Sequence, residues 1–201
     1  LLHQPPRQWD ADPTDVYVKT YVEAPPCFSL VLPVHNQERV IAAVLTSIMQ
    51  MTLGTFELLV ILDGCTDGTP AAVERWVHAL ERPSNLYHLH VFSNPTGIFE
   101  TSCDNQGFVL SRGRYIIEIQ ADMVLYTLGY NVLLASPMEA YPDLLGISGR
   151  CCHPINASPG QTVGKMGDNV QKKLKRPHDV LADFSNHLKV FLSHTVNRGP
   201  L

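Results

Sequence analysis

The chain has no apolar stretch that could cross a bilayer. Its densest aliphatic run, Leu58 to Leu62, falls far short of the roughly 20 residues a spanning helix needs. It has no basic excess either: Lys+Arg 15 stand against Asp+Glu 19, a net charge of −4, which excludes a dedicated nucleic-acid binder that must displace counterions from phosphates. Cysteine is sparse and scattered. Cys27, Cys65, Cys103, Cys151 and Cys152 cannot scaffold a disulfide-knit fold and their odd number leaves a thiol free, so a reducing, cytoplasmic setting is expected. No basic segment followed by an apolar core opens the sequence. Its start at Leu1 rather than Met is read as that of a fragment, with any targeting signal outside this window.

Several phosphate and nucleophile motifs are also missing. No Gly-x-Gly-x-x-Gly follows the first apolar strand and no Gly-x-x-x-x-Gly-Lys-Ser/Thr occurs, which removes the cradles of nicotinamide dinucleotide enzymes and P-loop ATPases. Gly-x-Ser-x-Gly, the nucleophile elbow of α/β hydrolases, is absent too. What remains is ordinary globular composition, 45% hydrophobic and 17% charged, enough for one sizeable α/β domain or two small ones.

The pattern along the chain alternates. Residues 1–26 lack a sustained period and read as an N-terminal arm lying over the domain rather than a core element. Phe28 to Leu32 reads as a buried strand, and Arg39 to Met51 follows with apolar residues at helical spacing. Phe56 to Leu62 is the next strand, then a helix with Thr69 as N-cap and Pro70 at its first position. The unit repeats with strand Leu86 to Phe92, helix Thr101 to Ser111 and strand Tyr115 to Ile119. A helix over Tyr130 to Ala140 and a strand over Leu144 to Ser148 complete it. Near-continuous apolar strands alternating with helices specify an open, mostly parallel sheet with helices on both faces, an α/β/α sandwich over 27–150. Residues 151–201 read as the start of a further region: a loop over about 153–180, then a short helix near Phe184 to Leu192.

Polar, turn-forming residues cluster just past the carboxyl ends of four strands: 33–38, 63–69, 93–95 and 120–123. In open α/β sheets that edge binds ligands. Three of the segments carry a resemblance. Leu-Pro-Val-His-Asn-Gln-Glu (32–38), Ile-Leu-Asp-Gly-Cys-Thr-Asp-Gly-Thr (61–69) and Gly-Arg-Tyr-Ile-Ile-Glu-Ile-Gln-Ala-Asp-Met (113–123) resemble the nucleotide-sugar-binding half of family 2 glycosyltransferases of the GT-A fold, over about Phe28 to Gly149. The resemblance implies that Pro33, His35 and Glu38 frame the nucleobase, that Asp63 contacts uracil, and that Asp122 holds Mn²⁺ or Mg²⁺ on the donor diphosphate. Asn94 and Gln120 join the expected donor site. It implies an inverting transfer of a sugar from a nucleotide sugar, UDP-linked, to an acceptor hydroxyl.

Chemistry bears on these roles separately. A carboxylate accepts a hydrogen from uracil N3 but would face an acceptor at the same place on cytosine, while guanine also offers N–H donors. One or two carboxylates suffice for Mg²⁺, because substrate phosphates and waters complete its octahedron. The chain departs from the family pattern at Leu62 and Gln120, where acids are common, and at Asp104, where many relatives carry Arg. Arg112 or Arg114 is the candidate replacement for that positive charge. The relatives' general base lies in an acidic motif beyond a segment like Thr195 to Leu201, so no base is named unless Asp143, Asp168, Asp179 or Asp183 is recruited.

Other features read more plainly. Cys151-Cys152-His153 lacks a second ligand pair for zinc. His88 and His90 share one strand face as a solvated or hydrogen-bonded pair, and Lys172, Lys173, Lys175 and Arg176 form a solvated basic loop. The competing functional class is a degenerate transferase domain that binds nucleotide sugar without turnover.

Overall fold

The computed structural model describes residues 12–141 and 143–147. Five strands, β1 (Thr14–Thr20), β2 (Phe28–Val34), β3 (Phe56–Asp63), β4 (Leu86–Asn94) and β5 (Tyr115–Glu118), form one sheet in the order β1-β4-β3-β2-β5. The pairs β2/β3, β2/β5 and β3/β4 are parallel, and β1 lies antiparallel on β4. Four helices connect them: α1 (Ile41–Met51), α2 (Thr69–His78), α3 (Glu100–Leu110) and α4 (Tyr130–Ala140).

Alternation along the strands builds two cores. Leu30, Leu32, Leu58, Val60 and Ile117 face the layer of α1, α2 and α4, where they meet Val44, Ile48, Val73 and Met138. Val31, Leu59, Ile61, Phe92 and Ile116 face the opposite layer with Cys103 of α3. Both faces are therefore covered, which is why β2 and β3 are apolar at nearly every position. Helix α3 reaches its sheet through Gly107, where a Cβ would collide with the Val31 side chain.

Three expectations change. Residues 14–20 form an edge strand rather than a loose arm, tied to β4 by His88 Nδ1 to Thr20 Oγ1 (3.0 Å) and His90 Nε2 to Asp15 Oδ1 (2.6 Å). No strand forms at 144–147: these residues continue from a turn in which Leu144 N–H donates to Tyr141 O, and Leu144 and Ile147 pack on the core without a backbone partner. A short apolar run interrupted by Gly146 does not by itself make a ladder. Helix α2 starts with Thr69 inside it and Gly68 at the N-cap, while Asp67 Oδ1 accepts the Thr69 N–H at 2.9 Å. The expected loop, short helix, basic cluster and Cys151-Cys152-His153 lie outside the described residues, as do Asp168, Asp179 and Asp183.

Candidate functional site

The strand order places the site. From β2 the chain steps through α1 to β3 and through α2 to β4, then crosses back by α3 to lay β5 on the other side of β2. Connections leave β2 and β5 in opposite directions, so their carboxyl ends part and open a crevice. A cavity of about 260 Å³ lies there, with Pro33, Val34, His35 and Gln37 from the end of β2, Asp63 from β3, Glu100 from α3, and Glu118, Gln120, Ala121 and Asp122 from β5 and the turn after it.

Of the residues singled out in the sequence, Pro33, His35, Asp63, Gln120 and Asp122 meet in this one cavity. Glu38 and Asn94 do not line it. Glu38 Oε2 instead accepts the Gly68 N–H at 3.2 Å, tying the loop after β2 to the loop after β3. Asn94, 2% exposed, exchanges hydrogen bonds with the Gln106 amide at 3.0 Å each way and so anchors α3 beneath the site. Arg112 and Arg114 supply no charge to the cavity: Arg112 pairs with Glu57 and Arg114 with Glu139.

Local geometry explains why the loops hold their shape. His35 Nδ1 lies 2.6 Å from the Asp63 carbonyl and therefore donates to it, and Nε2 accepts from Asn36 Nδ2 at 3.1 Å. Asn36, at φ 51°, turns the chain so that its Oδ1 accepts from Thr66 N at 2.8 Å and Asp67 N at 3.3 Å. Gly64, at φ 53°, is required by its contact with the backbone of Gly97, which a Cβ would penetrate. Asp63 itself is only 6% exposed. Its Oδ1 accepts the Ile98 N–H at 2.8 Å and its Oδ2 the Phe99 N–H at 3.0 Å, so the carboxylate pins the loop after β4 against the end of β3.

Two cavity residues were missed in the sequence, Glu100 and Glu118. For Glu118 a signal existed: Glu118, Gln120 and Asp122 recur every second position at and just past a strand end, and all three line the cavity. Burial, and then the charge of Glu100, push the Glu118 carboxyl up to about 7. The cavity thus gathers Asp63, Glu100, Glu118 and Asp122 with no Lys or Arg among its lining residues.

An open α/β sheet with helices on both faces and a polar cavity at its switch point defines the class, and the fold is that of GT-A glycosyltransferases. The model of glycosyl transferase family 2 matches residues 29–136, more than half the chain, and the chain belongs to that family. Among solved structures it is similar to a mannosyltransferase, PcManGT, from Pyrobaculum calidifontis in complex with GDP-Man and Mn²⁺, at 22% identity and a TM-score of 0.51, covering 70% of this chain and 38% of that one. TarS 1-349 of S. aureus follows at 20% identity and a TM-score of 0.48, covering 66% and 40%. Glucosyl-3-phosphoglycerate synthase of Mycobacterium tuberculosis, in complex with Mn²⁺, UDP and glucosyl-3-phosphoglycerate, gives 21% and 0.44, covering 56% and 39%. The chain therefore spans about two fifths of the length of these proteins, from 38% to 40%. No helix among the described residues is long and apolar enough to cross a membrane.

Proposed function

We propose that this chain is the donor-binding part of an inverting glycosyltransferase that moves a sugar from a nucleotide sugar, UDP-linked, to an acceptor hydroxyl. The observation that carries the reading is that one cavity joins Asp63 to Asp122, between Pro33 and His35 at one wall and Gln120 at the other. The nucleoside lies toward Pro33, His35 and Asp63, and the diphosphate toward Gln120 and Asp122. Glu38 and Asn94 support this site from outside the cavity, by holding the loop after β2 and the start of α3.

The acidity of the cavity bears on the cofactor. A diphosphate entering among four carboxylates without a basic side chain needs a cation between them. The oxygen donors of Asp122 and Gln120 fit Mn²⁺ or Mg²⁺, and no thiol or imidazole donor competes at that end. Among the described residues no group of three or more His, Cys, Asp or Glu could hold an ion by itself, so donor phosphates must complete the shell. When bound, such an ion neutralises the departing diphosphate. The acceptor oxygen attacks the anomeric carbon from the face opposite the diphosphate, the bond to the phosphate oxygen breaks, and the hydroxyl proton passes to a general base within hydrogen-bond reach. Asp143 does not line the cavity, and no residue described is assigned as that base. The setting that goes with this reading is a reducing, cytoplasmic one, on the cysteine usage.

One observation favours a second reading, a nucleotide-sugar-binding module without turnover: Gln120 places an uncharged amide where the family's metal motif carries an acid. Calorimetric titration with UDP and GDP, with and without Mn²⁺, on the wild type and Asp122→Ala tests the site common to both. UDP binding strengthened by Mn²⁺ in the wild type and not in the variant is expected. Equal affinity in all four UDP titrations removes the metal assignment. Sugar transfer by the full-length protein separates the enzyme from the module.

A further inference from the structure

The residue that opens α3 has a backbone its side chain does not favour. Phe99 lies at φ 76° and ψ 151°, a region essentially reserved for glycine. Burial does not compensate, because the residue is 75% exposed. The surrounding bonds over-determine it instead. Asp63 holds the Ile98 and Phe99 N–H groups, the Phe99 carbonyl accepts from Ser102 N at 3.0 Å and Cys103 N at 3.1 Å, and Ile98 packs on the core beneath α3. Thus an exposed aromatic ring is fixed at the rim of the cavity, between two residues of its lining: Asp63, to which it is bonded, and Glu100, which follows it.

We propose that Phe99 is the residue on which the donor's nucleobase stacks, and that Asp63 is a positioning residue that acts by holding Phe99 in place rather than by hydrogen-bonding the base. The inference rests on the nucleotide-binding reading above and names the part each residue takes in it. A solvated phenyl face gains by covering the face of a planar base, and the gain is indifferent to which base it is. Both oxygens of Asp63 are already engaged with backbone N–H groups, which leaves it little to offer a ligand. Strain kept at a solvent-exposed residue calls for a use, since glycine at position 99 would relieve it.

The test pairs affinity with stability. Titrations of UDP and of inorganic pyrophosphate, both with Mn²⁺, are run on the wild type, Phe99→Gly, Phe99→Trp, Asp63→Asn and Phe99→Gly/Asp63→Asn. Phe99→Gly should melt at or above the wild-type temperature, yet bind UDP about 5- to 100-fold more weakly with pyrophosphate affinity unchanged. Phe99→Trp should keep UDP affinity. Asp63→Asn should weaken UDP alone, and the double variant should bind no more weakly than the worse single one. Undiminished UDP affinity in Phe99→Gly, or an equal loss of pyrophosphate, overturns the stacking role. Multiplied losses in the double variant overturn the indirect role of Asp63. A wild type that binds no nucleotide is a different failure, which removes the nucleotide-binding reading itself and this inference with it.

Discussion

The side chain of Glu57, with no surface open to solvent, accepts the backbone N–H of Arg112 at 2.6 Å and its Nε–H at 2.8 Å. Ser29 Oγ donates to the same carboxylate at 2.6 Å and accepts the Gly113 N–H at 2.8 Å, so β3, β2 and the turn into β5 are joined under the sheet's lower end. Breaking a buried pair by deleting one partner typically costs about 3–5 kcal/mol. Since the Arg112 side chain is 40% exposed, Arg112→Ala is expected at or below the low end, about 2–3 kcal/mol, and Glu57→Ala at about 3 kcal/mol. Urea unfolding measures both. A loss below about 1 kcal/mol for Glu57→Ala would show that the network is not holding β5 in place.

Much of the fold was legible because β2 and β3 are covered on both faces and their apolar runs admit few other readings. β1 was not. Its sequence, Thr14–Thr20, leaves Val16 and Val18 about half exposed, and its order comes from backbone pairing and from His88 and His90, some 70 residues away in sequence. The site divides the same way. Asp63 and Asp122 follow strand ends and could be placed from local pattern, whereas Glu100 reaches the cavity only because Asp63 draws in residues 98 and 99. That Arg112 is spent on Glu57 instead of serving the site is equally non-local.

Glu118 should make stability fall with rising pH. Its folded-state pKa of about 7 lies above the ordinary carboxylate value of 4.5, because burial and then the charge of Glu100 disfavour ionisation. Between those values the folded state binds more protons than the unfolded one, so the contribution is fully present below pH 4.5 and is lost as pH rises through about 7. Glu118→Gln carries no such charge. Relative to wild type it is expected to gain on the order of 2–3 kcal/mol between pH 4.5 and pH 8, read from urea unfolding across that range. A difference that does not change with pH would refute the assignment.

His88 should act in the opposite direction. Burial, and then the charge of Arg112, lower its pKa below the model value of 6.5, so the folded protein favours the neutral ring bonded to Thr20. In the window beneath 6.5 the unfolded state binds the extra proton. Stability is therefore fully present above that value and declines as pH falls through it toward the lowered one. Amide exchange should show β1 losing protection first as the solution is acidified, and His88→Gln should flatten the trend. Protection of β1 that stays constant down to pH 5 in the wild type would count against it.

Gln120 offers a gain-of-function test. It and Asp122 stand two positions apart and both line the cavity, so Gln120→Asp would present a second carboxylate to the same ion. Ligand charge tunes the affinity of hard cations, and the variant should bind Mn²⁺ without nucleotide about ten-fold or more tighter than wild type, measured by the loss of the free-ion EPR signal. The added charge sits near Glu100, Glu118 and Asp122, so the metal-free variant should also be less stable, and Mn²⁺ should restore it by preferential binding to the folded state. Reduced stability without any gain in Mn²⁺ affinity would mean that position 120 does not face the ion, and would leave Asp122 as the protein's sole charged contact with it.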